Sequence, residues 1–514
     1  MEFNQHKNKI VLGEKITLED FIEVARFGAY VGFSKDYEKR VQRSRDLVDK
    51  WTKQGRVMYG VTTGFGSLWE KVIDKNQASE LQHNIITSHS TSVGEPYTIE
   101  QSRAVMLMCL MNLGQGYSGV RLEILEKYRD FLNKGLTPWA PREGSVGYLS
   151  PEAHIARVLE GNGKAYYDGE LLDGKEALRR AKIEPIRLAS KEGLALVSGT
   201  TSVTGLGALA LYDLIKGALS ADVISAISFE ASKGQLPAIS EPVMTVRPHG
   251  TQASTAYTLR KILEGSEMVQ EAQGDHLQDA LSLRCIPQLH GAAKKTLYDA
   301  KITLETEINS CCDNPIIWPE KGAETAISSC NPDSSFVGIE MDSCAIAATE
   351  LAKMSERRNN HMIDENLSGY PSFLIKNPGL NSGLMIPQYT QAGLLNDMRI
   401  LSYPATVDNT PTCGNQEDYV AMGYNASKKA IELSEKLEYI LAIELLSAYE
   451  TKTVSLTNAR RSGVTEAVFD LIAEKVPLME KDDFLYPYIE YLRDLIHNGS
   501  IAGTAERVLG EELL

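Results

Sequence analysis

The 514-residue sequence predicts a mainly α-helical protein built on a long helical bundle, with a smaller mixed part at its N-terminal end. Long segments repeat apolar residues with i, i+3, i+4 spacing. The segment NASKKAIELSEKLEYILAIELLSAYETK (425–452) would form a helix of about 40 Å at 1.5 Å per residue. Strand patterns are few and short. Helices of this length are typical of extended bundles.

The individual elements follow from local patterns along the chain. KIVLG (9–13) predicts a strand, and KAYYDGELLDG (164–174) predicts a hairpin that turns at Asp168-Gly169. The helix over 177–185 stops at its proline, and the helix over 212–234 ends at a glycine. Amphipathic spacing predicts another long helix over 342–365.

Residues 193–212 form an uncharged run of 20 residues, which is nearly long enough to span a membrane. The run contains glycines and hydroxyl side chains, and the charged residues Asp213, Lys216 and Asp222 follow closely. We therefore expect a helix buried in a large bundle and no membrane association.

The sequence shows no internal repeat and no low-complexity linker. We expect an N-terminal part with active-site loops over 1–200, a central helical bundle over 201–450 and a C-terminal helical tail over 451–514.

Charge and cysteine usage limit the functional classes. A net charge of −15 and a pI near 5.3 argue against nucleic acid or an anionic membrane as a partner, because both need a basic face. Seven cysteines without CxxC spacing predict reduced thiols and no metal. The N-terminal residues lack the apolar segment of a secretion signal, so we expect a cytoplasmic protein.

Four polar, glycine-rich stretches are candidates for chemistry, although each also has a structural explanation. Tyr59 lies in MYGVTTGFGSL, where a phenol could act as a base or merely pack. His89 stands among small hydroxyl residues, and a lone histidine is more often structural. Gln278 and Arg284 share an otherwise apolar stretch that invites a carboxylate. TCGNQEDYVAMG (412–423) contains an acidic cluster framed by apolar residues, whereas most acidic runs are solvated.

Taken in order, these and other motifs resemble the aromatic amino-acid lyase family, and most closely its histidine ammonia-lyase type. The series is YGVTTGFG, SH…GEP, NLGQGYSGVR, GSVG…LSPEAH, EGLALVSGT, LQDALSLRC, EINSCCDNP, SERR, GLNSGLM and GNQEDYVAMG, and it covers roughly residues 10–460. The resemblance implies a fold similar to fumarase and aspartase, a homotetramer and active sites assembled from three subunits around a small-molecule substrate.

The resemblance also assigns roles to individual residues of this chain. It implies that Tyr59 takes the β-proton and that His89, which follows a serine, belongs to the Ser-His pair of histidine-specific members. Glu417 would lie near the substrate amine and imidazole. The remaining expected site residues are Arg284 and Asn314 at the substrate carboxylate, and Gln278 and Gln416 at neighbouring polar positions.

One departure concerns the family's prosthetic group, a methylidene-imidazolone formed by cyclisation of an internal Ala-Ser-Gly triad. Here GSVG (144–147) is followed directly by Tyr148 and LSPEAH, and the triad is absent. Three positions around that group also differ: Val197-Ser198-Gly199-Thr200, Leu281 and Asn331-Pro332-Asp333. Because the group and its supports are lost together, the sequence predicts a reaction without a prosthetic group. The alternative is that the triad is missing only from the recorded sequence.

A quaternary ammonium leaves as a neutral amine and offers no lone pair to an electrophile. The absence of the triad and its supports therefore predicts an ergothionase-like lyase that removes trimethylamine from ergothioneine to give thiourocanate. The alternative is a methylidene-imidazolone-dependent histidine ammonia-lyase that forms urocanate and ammonia. A homologue that only binds an imidazole ligand is a third explanation, against which the retained Tyr59, Arg284 and Glu417 argue. The sequence leaves open whether ergothioneine, hercynine or histidine is the substrate.

Overall fold

A computed structural model describes residues 8–74, 77–455 and 457–514. The described chain forms two compact units. The first comprises Met1–Tyr212, Ala300–Asp342 and Pro404–Lys428, and the second comprises Asp213–Asp299, Ser343–Tyr403 and Lys429–Leu514. The expected division of the chain into three parts, with boundaries at residues 200 and 450, stays a prediction.

The predicted mainly helical fold is confirmed. Eight helices lie within the described part of the first unit: α1 (Leu18–Ala25), α2 (Lys35–Lys53), α3 (Ala78–His89), α4 (Ile99–Leu113), α5 (Leu122–Lys134), α6 (Ser150–Arg157), α7 (Gly174–Ala181) and α8 (Glu192–Val197). Four long helices have residues in both units: α9 (Thr201–Ala231), α14 (Ile286–Ile308), α15 (Ser335–Ile363) and α18 (Gly423–Val454). The 32 residues of α18 span about 48 Å and include the segment predicted as the longest helix.

The second unit, as far as it is described, contains α10 (Glu241–Thr245), α11 (Gly250–Ile262), α12 (Glu267–Glu271), α13 (Leu281–Arg284), α16 (Glu365–Ser368), α17 (Met385–Leu401), α19 (Gly463–Ala473), α20 (Tyr486–His497) and α21 (Ser500–Leu509). Its interior holds paired charges. The Asp222 carboxylate accepts from His290 Nδ1 at 2.7 Å and from Lys294 Nζ at 2.6 Å. Arg358 forms a two-point pair with Glu444, and both side chains are fully buried. Pairing of this kind is what allows charges to be buried.

The strands are short and lie in the first unit: β1 (Lys9–Leu12), β2 (Tyr30–Phe33), β3 (Val93–Pro96), β4 (Thr137–Pro138), β5 (Pro141–Glu143), β6 (Lys164–Tyr167), β7 (Glu170–Asp173), β8 (Ile316–Trp318) and β9 (Thr325–Ile327). The first two pair in parallel, and the other pairs are β3 with β5, β4 with β6, β6 with β7, and β8 with β9, all antiparallel. The predicted hairpin is confirmed, with Asp168 and Gly169 both at positive φ in its turn.

The continuous helix expected over 193–212 is interrupted. α8 ends at Val197, Ser198 is extended, and α9 starts at Thr201. Gly199 has φ +107°, and a Cβ there would lie 2.6 Å from Asn112 Nδ2, so this break requires glycine. Glu192–Ala231 is apolar and long enough to cross a membrane, but its most apolar window is entirely buried, as in a core helix.

The start of α9 is joined to α6 by a buried carboxylate. Glu152 Oε1 accepts from Thr201 Oγ1 and from Ser202 N, each at 3.1 Å. Burial raises the pKa of Glu152, and the donors at the helix N-terminus oppose that rise. Through Glu152, the first turn of α6 is hydrogen-bonded to the first residues of α9.

Candidate functional site

A cavity of about 930 Å³ lies in the first unit. Its walls are formed by loops and helix ends: the loop after α2, the end of α3, the turn before α6, the break before α9, and the segments around 314, 328–334 and 412–421. Loops positioned by a rigid helical scaffold are a common setting for catalytic side chains.

Tyr59 lines this cavity, and its phenol oxygen accepts a hydrogen bond from Gly66 N at 2.8 Å. Burial raises the pKa of Tyr59, the Gly66 N–H opposes that rise, and nearby Cys413 and Glu417 add to it. Gly66 has a positive φ, and a Cβ there would lie 2.3 Å from Cys413 Sγ. A side chain at residue 66 would therefore displace the donor that stabilises a Tyr59 phenolate.

His89 is the last residue of α3 and also faces the cavity. Its Nδ1 lies 3.0 Å from Ser88 Oγ, and its ring centroid lies 5.1 Å from that of Phe65. Burial lowers the pKa of His89 below 6.5, against the opposing effects of the Ile85 carbonyl and Glu417. Burial therefore favours the neutral form of the imidazole.

Glu417 enters the cavity from the loop before α18. Thr412 Oγ1 donates to Glu417 Oε2 at 2.7 Å, and Thr412 N donates to the Glu417 carbonyl at 2.8 Å. Gln416 also lines the cavity, whereas Asp418 is exposed and does not. Within the acidic cluster noted in the sequence, one carboxylate is thus directed inward.

Asn314 lines another wall of the cavity, and hydrogen bonds hold both its backbone and its side chain. Its backbone N donates to Asp313 Oδ1 at 2.7 Å and to Ser198 Oγ at 3.3 Å, and its Oδ1 accepts from Ser329 N at 2.8 Å. Behind it, Lys191 Nζ donates to Asp313 Oδ2 at 2.6 Å, and both side chains are fully buried. This ion pair anchors the backbone that carries Asn314.

Two of the expected site residues belong to the second unit. Gln278 is exposed. Arg284 ends α13, and its Nε donates to the Asp279 carbonyl at 3.1 Å. The cavity therefore brings together Tyr59, His89, Asn314, Gln416 and Glu417, and the roles of all seven residues stay predictions.

Tyr148, Cys330 and Cys413 also line the cavity and were not among the expected site residues. Tyr148 follows the GSVG turn, so its position beside a recognised motif was a usable signal. The two cysteines stand in segments with no thiol pattern, and burial, followed by the charges of Asp333 and Glu417, raises the pKa of Cys330.

The chain belongs to the aromatic amino acid lyase family, whose model matches residues 16–474. It is therefore a carbon–nitrogen lyase. It is similar to the histidine ammonia-lyase of Streptococcus sanguinis strain SK36, with 42% identity over 502 residues that cover 97% of each chain.

Two solved structures extend the comparison. The histidine ammonia-lyase of Trypanosoma cruzi has a TM-score of 0.90 and 34% identity, covering 97% of this chain and 95% of that one. The ergothionase of Treponema denticola has a TM-score of 0.89 and 26% identity, covering 96% of this chain and 99% of that one.

The predicted removal of trimethylamine from ergothioneine is wrong. The identity to enzymes named histidine ammonia-lyase is 42% over nearly the full length, whereas the identity to the ergothionase structure is 26%. The comparisons thus favour the alternative, an ammonia-lyase acting on histidine. The prediction failed because it gave the missing triad and the three altered positions around it more weight than the similarity of the whole chain.

The expectation that no prosthetic group is used is contradicted by the same findings, because the resemblance implies a methylidene-imidazolone in members of this family. The residues of this chain do not fit such a group at the GSVG turn. Tyr148 occupies the position after Gly147, no serine is present there to lose its hydroxyl, and Leu149 N donates to the Val197 carbonyl at 3.0 Å.

Proposed function

We propose that the protein removes the α-amine of L-histidine by 1,2-elimination, giving urocanate and ammonia. The observation that carries the proposal is the cavity that brings Tyr59, His89 and Glu417 together in one unit. The full-length similarity to proteins named histidine ammonia-lyase supports the choice of substrate.

In the proposed reaction Tyr59 is the base that takes the β-proton. The Gly66 N–H, 2.8 Å from the phenol oxygen, stabilises the phenolate that this step needs. The electrons of the β C–H bond form the new carbon–carbon double bond as the C–N bond breaks. The C–N bonding electrons stay on nitrogen, so the α-ammonium group departs as neutral ammonia.

The substrate ring is assigned to His89 and Glu417. A neutral imidazole at residue 89 can donate or accept one hydrogen bond, and the carboxylate can accept from a ring N–H. His89 and Glu417 line the same cavity, so both side chains can act on one ligand. The Asn314 amide is assigned to the substrate carboxylate.

We further propose a cytoplasmic homotetramer in which Arg284 and Gln278 reach the cavity of a neighbouring copy. In support, Leu277 is 100% exposed and Leu281 is 60% exposed, although both flank these polar residues in sequence. Apolar side chains exposed in this way are typical of surfaces covered by a partner.

The substrate assignment is tested by measuring kcat/KM for L-histidine, L-tyrosine, L-phenylalanine and ergothioneine with the purified enzyme. We expect L-histidine to be the preferred substrate, with ammonia released. A higher kcat/KM for either of the other two amino acids would overturn the role of His89 and Glu417 as ring-binding groups. Preference for ergothioneine would overturn ammonia elimination itself.

A further inference from the structure

Two consecutive backbone N–H groups of the short 3₁₀ turn Gly66–Leu68 have acceptors outside the turn. Gly66 N donates to the Tyr59 phenol oxygen at 2.8 Å, and Ser67 N donates to Cys413 Sγ at 3.3 Å. The first N–H groups of a helical turn have no partner within the turn, so groups elsewhere must accept from them. The thiol and the proposed base therefore share the two donors of one turn.

Cys413 is held in place by the loop that carries it. Three successive residues, Cys413, Gly414 and Asn415, have positive φ values of 51°, 63° and 66°, which are uncommon for residues other than glycine. Thr412 N donates to the Glu417 carbonyl at 2.8 Å, and Asn415 N donates to the Thr412 carbonyl at 3.0 Å. Strained backbone of this kind persists only where surrounding contacts enforce it, so the loop fixes where the thiol lies.

Packing as well as hydrogen bonding joins this thiol to the turn. Gly66 has φ +57°, and a Cβ added there would lie 2.3 Å from Cys413 Sγ, so the glycine allows the sulfur to approach the backbone closely. A Cβ on Gly414 would lie 3.6 Å from Ser67 Cβ, which is ordinary van der Waals contact. The sulfur at residue 66 and the hydrogen bond from residue 67 together limit rotation of the turn, and with it the direction of the Gly66 N–H.

We propose that Cys413 is a positioning residue for Tyr59, because its sulfur holds the turn so that the Gly66 N–H is directed at the phenol oxygen. This inference rests on the proposed function, in which Tyr59 takes the β-proton. A donor that is fixed before the reaction stabilises the phenolate without a cost of reorganisation. The thiol itself exchanges no proton in the reaction.

The first test measures the pKa of residue 59 without substrate, by ¹⁹F NMR of the full-length enzyme with 3-fluorotyrosine at that position. Burial is the main cause that raises the pKa of Tyr59, and a Cys413 thiolate adds to it. Cys413→Ala is therefore compared with Cys413→Ser, because neither variant carries a thiolate and only the second keeps an acceptor for Ser67 N. We expect the pKa to be higher in Cys413→Ala by about 0.5–1 pH unit, which corresponds to about a 3- to 10-fold loss of phenolate stabilisation.

Steady-state kinetics on L-histidine give the second readout. Cys413→Ala should have a kcat about 3- to 10-fold below that of Cys413→Ser with a similar KM, and the acidic limb of its kcat–pH profile should lie at higher pH. Cys109→Ala is the matched control, since it removes a buried thiol on α4 that does not line the cavity. It should change neither the pKa of residue 59 nor kcat.

The outcomes separate the two proposals. If the wild-type enzyme does not convert L-histidine, the proposed function fails, whereas the ¹⁹F titration still decides the role of Cys413. Equal pKa values at residue 59 in Cys413→Ala and Cys413→Ser refute the positioning role. A lower melting temperature in Cys413→Ala with an unaltered titration indicates a contribution to stability alone, and it overturns the inference as well.

Discussion

The buried ion pair behind Asn314 gives a quantitative prediction. Lys191 and Asp313 are both fully buried with their charged atoms 2.6 Å apart. Replacing Asp313 by Asn leaves the Lys191 ammonium without a counter-charge, which should cost about 3–5 kcal/mol. With an unfolding entropy of about 2.1 cal/mol/K per residue, the 514-residue chain should melt roughly 3–5 °C lower.

The assay is thermal unfolding at fixed protein concentration and scan rate, because assembly and irreversibility both affect the transition. Asp397→Asn is the matched control, since the Lys436–Asp397 pair at 3.0 Å is partly exposed and should contribute less than about 1 kcal/mol. Removing both buried charges with Lys191→Met and Asp313→Asn should recover part of the loss. Equal, small shifts for Asp313→Asn and Asp397→Asn would refute the reasoning.

Three further predictions concern the site and its surroundings. Tyr59→Phe should lower kcat on L-histidine by about 10²- to 10⁴-fold, because it removes the base, and unchanged steady-state kinetics would exclude that role. Co-expression of Tyr59→Phe and Arg284→Met chains should restore turnover that neither variant has alone, whereas no recovery would contradict sites shared between subunits. Burial, followed by the charge of Arg157, lowers the pKa of His154 to about 4, so the unfolded chain takes up a proton that the folded chain refuses. The melting temperature should therefore fall as the pH drops from 6.5 to 4, and it should fall less in His154→Gln.

Much of the fold could be predicted from the sequence because periodicity and turn chemistry are local. The helix over Gly423–Val454 and the hairpin at Asp168-Gly169 are both encoded by their own residues. The break between α8 and α9 could not be predicted in this way. It depends on the close approach of Asn112 to Gly199, although the two residues are 87 positions apart in the chain. The apolar composition of the segment does not predict this contact.

The site residues that stand in recognisable motifs could be predicted from the sequence. Tyr59, His89 and Glu417 were named from the sequence, and the structure places all three on one cavity. Tyr148 and Glu417 line that cavity from segments far apart in the chain, so only the fold brings them to one site. The absent triad and the three altered positions around it were visible in the sequence, yet reasoning from them gave the wrong leaving group.

The most direct test of the central claim is to quantify both products formed by the wild-type enzyme from L-histidine. We expect urocanate and ammonia in equal amounts, with formation of both strongly reduced in Tyr59→Phe. Release of trimethylamine from ergothioneine with no urocanate formed from L-histidine would contradict it.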